Sequence, residues 1–344
     1  MHKPEVTILQ PDQYAQWDLF VDQSPQGDVF CYSWWLYAIS WSKFRILAVF
    51  ENGKIVAGIP MAFDSNNRVN QPPLTRTLGV LYQPQEGLSG HKQDSNRRRW
   101  LEALLEEFPL NNFMQMCCHQ SFNDWLPFRW KGFKQTTRYT YIIEYKNSDR
   151  TALWRNLNRT QKDLVHRAQN HGIVVEITDD IRLLYDYVSK SYQRQGLVFK
   201  TPFNDLERLD EALKKRGNRT ILKAVDPSGQ VYSVLYGVHN HKFAFMSIAG
   251  SDPEYRSWGG YSLLFWEAIN YFSDKVDFFN FGGSDIEPIE KHLRGYGGKL
   301  TPYFHIYNEA LMSEQPGLRF HTKHLVHHSA EIVRILMNRT FRRR

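Results

Sequence analysis

At 344 residues, with 42% hydrophobic and 23% charged side chains, the chain has enough apolar surface for about two domain-sized cores, which excludes disorder over its bulk. The net charge of +7 is concentrated: residues 319–344 hold seven Lys or Arg against Glu331 alone, leaving about +1 for the rest and excluding a body that is basic throughout. No run approaches the roughly 20 apolar residues of a membrane span. The first ten residues lack a signal-peptide core, and three cysteines, two of them the neighbours Cys117 and Cys118, imply no disulfide framework, so a cytoplasmic protein is expected.

In chain order, the first legible element is a helix near 33–41. A strand at 46–50, the turn Asn52-Gly53 and a strand at 55–58 follow as a β-hairpin. A helix at 95–107 and strands near 112–118 and 139–145 complete the first half. Ser148 or Asp149 caps a helix expected to run from about 150 to 170, which His171-Gly172 ends. Then come a strand at 173–178, helices at 181–193 and 204–215, and a second hairpin, 221–225 and 231–238, around Asp226-Pro-Ser-Gly229. A strand at 243–249, a helix at 261–272, a strand at 276–281 and a last strand near 303–307 finish the ordered pattern. The hairpin glycines Gly53 and Gly229 lie 176 positions apart, about half the chain, which points to a duplicated α/β unit. The expected divisions are 1–147, 148–310 and a basic tail, 311–344. Within the tail, 318–338 is apolar at helical spacing, suited to packing on the body or to lying at a membrane surface.

Two stretches carry groups suited to chemistry. After the strand at 243–249, Gly259-Gly260 open a helix. Its free amides at the positive end of the helix dipole suit a phosphate, with Arg256 placed to clamp it. The alternative is a plain glycine-rich helix start. The second stretch, Phe278-Phe279-Asn280-Phe281-Gly282-Gly283-Ser284-Asp285, ends a strand in flexible backbone followed by a hydroxyl and a carboxylate, the place where α/β sheets bind ligands. Its alternative is a helix cap. Lys291, Arg294 and Lys299 surround the turn Gly295–Gly298, facing either an anion or water. His321, His324, His327 and His328 recur in the tail without a completing metal pattern.

Taken in order, these motifs resemble the FemAB-like acyltransferases of the GNAT superfamily. Arg155 to Ala168 with His171-Gly172-Ile173 is similar to the family's basic helix, and Tyr192-Gln193-Arg194-Gln195-Gly196-Leu197 to its Gln-Gly-Leu loop. The run from Gly250 through Arg256, Gly259 and Gly260 to Glu267 is similar to its glycine-opened helix. Phe279 to Ser284 and Leu293 to Gly298 are similar to its closing strand and glycine turn, and Gln71 to Gly79 resembles a first-half segment.

The resemblance implies a mixed-sheet α/β protein of two tandem GNAT-like domains with a C-terminal helix, transferring an acyl group to an amine. Acyl-CoA is the expected co-substrate, its phosphate held by Arg256, Gly259 and Gly260, and no metal is expected. A nucleotide-linked sugar or other cell-envelope polysaccharide precursor is the expected acceptor, oriented by Arg194, Gln195, Ser284 and Arg294. Asp285 is the expected proton acceptor. Two alternatives stay open: an aminoacyl-tRNA-dependent transferase acting on a peptidoglycan precursor, and a catalytically silent relative that meets the membrane edge through its tail. Tyr261 stands where the acetyltransferase phosphate loop has a small residue, and Leu293 stands where tRNA-using relatives carry a lysine.

Overall fold

A computed structural model describes residues 4–40, 43–108, 114–146, 149–283 and 285–308, and of Arg256 the backbone alone. The amphipathic segment 318–338, its histidines, Ser284 and the expected division at 147–148 lie outside the described residues.

The chain opens with β1 (Glu5–Ile8), α1 (Tyr14–Gln23) and α2 (Ser33–Ser40), then the hairpin of β2 (Phe44–Glu51) and β3 (Lys54–Ala62). Asn52 and Gly53 both take positive φ in its turn, as the right-handed twist of the two strands requires. The short β4 (Leu81–Tyr82) completes a four-stranded sheet in the order β1-β2-β3-β4, and α3 (Gly90–Glu106) packs on it. Next come β5 (Gln115–Cys117), α4 (Leu126–Trp130), β6 (Lys134–Glu144), α5 (Arg150–Asn156) and α6 (Arg159–Asn170). They are followed by β7 (Val174–Thr178), α7 (Ile181–Gln193), α8 (Phe203–Lys214), β8 (Arg219–Val225), β9 (Val231–His239) and β10 (Phe243–Ser251). The last elements are α9 (Gly260–Phe272), β11 (Phe278–Asn280), α10 (Glu287–Arg294) and β12 (Lys299–Tyr307). A second sheet of eight strands runs β5-β12-β6-β11-β10-β9-β8-β7, so strands from both halves of the chain share it.

The helix expected over 150–170 is two helices. Leu157 and Asn158 are extended (ψ 140° and 164°), and the Asn158 carboxamide oxygen accepts the Gln161 N–H at 2.8 Å, starting α6 afresh. An asparagine that caps its own backbone wins over continued helical periodicity. The strand expected at 276–281 is shortened to Phe278–Asn280, and α3 begins five residues before its expected start. Helix α1 escaped the sequence reading because its buried members, Trp17, Phe20 and Val21, are sparse among polar neighbours.

The eight-stranded sheet is covered on both faces, and side chains of β10 alternate between them. Phe243 and Phe245 enter a core shared with α1, α2, α7 and α8, where the Phe30 ring meets Phe245 at 4.7 Å. Ala244 and Met246 enter the opposite core, built on α9, α5 and α6. The first of these cores joins the two halves. At its margin lie two buried titratable groups. Burial pushes the Asp28 carboxyl up from 3.8 to about 7, although Thr77 and the Phe30 N–H bond to it. Burial pushes His119 down from 6.5 to about 3.

The two groups oppose each other in the pH dependence of stability. Between about pH 4 and 7 the folded state keeps a proton on Asp28 that the unfolded chain has lost, so stability falls as pH rises. Between about pH 3 and 6.5 the unfolded chain binds a proton at His119 that the folded state does not, so stability rises with pH. Asp28→Asn removes the first effect alone. Its urea midpoint is expected to climb from pH 4 to 6.5 more steeply than that of the unsubstituted chain; an equal or shallower slope refutes the assignment.

Candidate functional site

The site begins where two parallel strands part. β10 and β11 pair from Phe243↔Phe278 to Phe245↔Asn280 and no further. A register shift between Met246 and Ile248 marks a bulge, and β10 continues to Ser251 paired with β9. β11 ends at once in Gly282 and Gly283, both at positive φ (79° and 67°). The gap therefore opens at the C-terminal ends of the strands, where α/β sheets take ligands. Asn280 holds the turn: its Oδ1 accepts the Gly282 N–H at 2.8 Å and the Thr140 hydroxyl at 2.6 Å. At Gly283 a Cβ would lie 2.3 Å from the Tyr139 carbonyl oxygen, and at Gly282 it would lie 3.1 Å from Arg76 Nε.

That contact shows what enters the gap. Arg76, from the first half, donates from Nη2 to the Ser247 carbonyl in the bulge at 2.8 Å and lies against Gly282. Arg138 of β6 stands on the same sheet face, its Nε 3.9 Å from Asp285 Oδ2 and its Nη1 3.8 Å from Cys117 Sγ. Burial pushes the neighbouring Tyr303 hydroxyl up to about 12, with Cys117 adding to the rise and Arg138 and Arg76 opposing it. Burial likewise raises the Cys117 thiol above its ordinary range against the pull of Arg138, which disfavours a thiolate nucleophile. Two guanidinium groups, one carboxylate and a phenol thus surround the strand ends on the face toward the first half. They suit an anionic group, with two planar forks to hold it.

On the opposite face, α9 begins at the same end of the sheet. Gly259 (φ 83°) is its N-cap and makes no side-chain cap bond to the helix start. The glycines themselves answer to packing. A Cβ on Gly259 would sit 2.1 Å from the Leu164 carbonyl oxygen of α6, and one on Gly260 would sit 2.8 Å from Tyr232 Cβ. Arg167 donates to the Ser257 carbonyl at 3.0 Å, and the Trp258 ring lies 4.3 Å from that of His171. The Arg256 backbone lies in the 3-10 turn Arg256–Trp258; its side chain is outside the description. Arg155, Arg159 and Arg167 are exposed on α5 and α6; of the three, Arg167 reaches this loop, through the Ser257 carbonyl, and Arg159 pairs with Asp163 at 3.8 Å.

The remaining expected residues are dispersed. Gln195 donates to the Ser191 carbonyl at 3.0 Å, and the Ser191 hydroxyl bridges the backbone N–H and C=O of Ser251, so Gln195 stands near the end of β10. Arg194 is exposed at the end of α7. Arg294 pairs with Glu290 at 3.6 Å, and Glu290 also accepts the Tyr141 hydroxyl at 2.5 Å. The structure thus brings together the Gly282-Gly283 turn and Asp285 and adds Arg76 and Arg138, which the reading of chemical motifs missed. Arg76 meets its partner across 171 positions; its signal lay in the Gln71–Gly79 run, which had been noticed only as part of a resemblance.

Residues 152–288 match the family model described as the acetyltransferase (GNAT) domain. These residues carry a GNAT domain. The fold of almost the whole chain has solved counterparts. It is similar to FemX at 13% identity, covering 90% of this chain and 99% of that one, with a TM-score of 0.66. It is also similar to a tandem GNAT protein of the clavulanic acid biosynthesis pathway, at 12% identity over 88% of this chain and 97% of that one, TM-score 0.52. L-PGS from Bacillus licheniformis shares it at 10% identity, over 87% and 92% of the two chains, TM-score 0.50. No curated protein matches the sequence. At these identities the structural likeness concerns the fold, in which the GNAT domain contributes α9 and the strands on either side of the gap. No helix among the described residues is long and apolar enough to cross a membrane.

Proposed function

We propose that the protein is an N-acyltransferase that works through the gap between β10 and β11. The carrier of the acyl group lies on the α9 face, its phosphate against the amides at Gly259 and Gly260 with Arg256 beside them. The acyl carbon enters the gap. The acceptor approaches from the opposite face, its anionic part between Arg76 and Arg138, and presents its amine to the carbonyl carbon. Nitrogen adds, the carrier leaves, and Asp285, at the strand end, takes the proton released by nitrogen. The observation that carries this reading is the Arg76 guanidinium seated where two parallel strands part, opposite an uncapped helix start. Two arginines favour an acceptor that is both amine and anion, such as a nucleotide-linked amino sugar.

Acyl-CoA is the donor we favour, in keeping with a structural counterpart described without its AcCoA. The exposed Arg155, Arg159 and Arg167 of α5 and α6 suit a larger polyanion equally, and they support aminoacyl-tRNA as the second reading. Incubation with a panel of acyl-CoAs and anionic amines is expected to release free thiol in step with acylated product. Thiol release that ignores the acceptor, or no release together with salt-sensitive binding of charged tRNA, overturns the acyl-CoA reading.

A further inference from the structure

Four residues further along β6 from Arg138, about 13 Å at strand rise, the same sheet face ends in a second recess. A cavity of about 650 Å³ lies there beneath Pro25 and His119, walled by Ile142, Phe243 and Phe278. Its size falls within the range of small-molecule sites. Neither the transfer gap nor the helix start accounts for it.

Its charge pattern is specific. Lys242 and Lys299 line it together with Glu144 and Asp277, two cations and two carboxylates around an apolar wall. Lys242 is held in place: its ammonium donates to the Val21 carbonyl at 3.2 Å and the Ser24 carbonyl at 2.5 Å, which uses two of its three N–H groups. His119 adds no charge. Its Nδ1 lies 2.9 Å from the Ser121 hydroxyl, and burial keeps the imidazole neutral. A fatty acid or other pure anion would face two carboxylates here, and a pure cation would face two ammonium groups. An apolar ligand carrying one charge of each sign meets both pairs with complementary charge while its body covers the wall.

We propose that this cavity binds a zwitterionic apolar ligand, a free amino acid or short peptide with aliphatic or aromatic side chains, at a site separate from the acyl-transfer gap. The site stands whether or not the chain turns over acyl donors.

The test is calorimetric titration of the full chain with L-leucyl-L-leucine, octanoate and octylamine as probes. The dipeptide is expected to bind at least about tenfold more tightly than either singly charged compound, the worth of one charged hydrogen bond. Lys299→Glu changes an exposed side chain and should weaken the dipeptide by a similar factor. Thr301→Trp, at the lining of the cavity, should abolish binding while the thermal melt stays cooperative. Octanoate or octylamine binding as tightly as the dipeptide overturns the proposal. So does dipeptide affinity unchanged in both variants, or no heat from the dipeptide at millimolar concentration.

Discussion

Arg76→Ala is expected to lower kcat/KM for the acceptor by about 10- to 100-fold, while the affinity for the acyl carrier stays within a factor of two. The magnitude follows from losing a charged, geometrically fixed set of hydrogen bonds to an anion, about 1.5–3 kcal/mol. The direction follows from position. Arg76 lies in the gap against Gly282 and the Ser247 carbonyl, on the face opposite the start of α9. Arg138→Ala should act in the same way, and because both side chains serve one anion the double variant should lose less than the product of the single losses. Arg76→Lys restores charge without the planar fork and should recover only part of the activity. Far-ultraviolet circular dichroism separates this from misfolding. Activity unchanged in both single variants removes the arginine pair from the mechanism.

The second large effect is structural. Gly259→Ala should destabilise the protein by about 3 kcal/mol or more, read as a fall in the urea midpoint with unchanged slope. Two costs coincide: an L-residue is forced to φ 83°, and its Cβ is driven to 2.1 Å from the Leu164 carbonyl oxygen, a backbone atom inside α6. Gly196→Ala serves as the control. That glycine also has positive φ (70°) but nothing within 4 Å of the added carbon, so about 1 kcal/mol is expected. Equal losses at the two positions would show that left-handed backbone alone sets the cost and that α6 does not press on the turn.

The comparison of Gly259 with Gly282 separates two uses of the same residue type. Both sit in loops that the sequence marks as glycine-rich, and each reads as a candidate ligand seat. In the folded chain, Gly259 admits a neighbouring helix, whereas Gly282 admits the guanidinium of Arg76, a side chain with hydrogen-bonding capacity left for a substrate. Spacing along the chain carries no information about which atom approaches a glycine from 95 or 206 positions away. The same limit applies to Arg294, which reads as a free cation in a basic turn and in the fold faces Glu290, one helical turn back.

The amino-acid sequence by itself determined the alternation of strands and helices, both hairpins with their turn chemistry, the glycine-opened α9 and the strand that ends in Gly282-Gly283. Each rests on periodicity or turn propensity within a few residues. Tertiary structure alone decided that α5 and α6 are separate helices, since Asn158 both caps α6 and donates its backbone N–H to Gly295. It alone placed β5 and β6 in one sheet with the strands of the second half, set Arg76 and Arg138 at the strand ends, and enclosed a mixed-charge cavity beneath His119. The physical reason is that local backbone preference is written in neighbouring residues. The pairing of distant strands is set by how the buried apolar faces close on one another, and the groups left at that seam become neighbours only after it has closed.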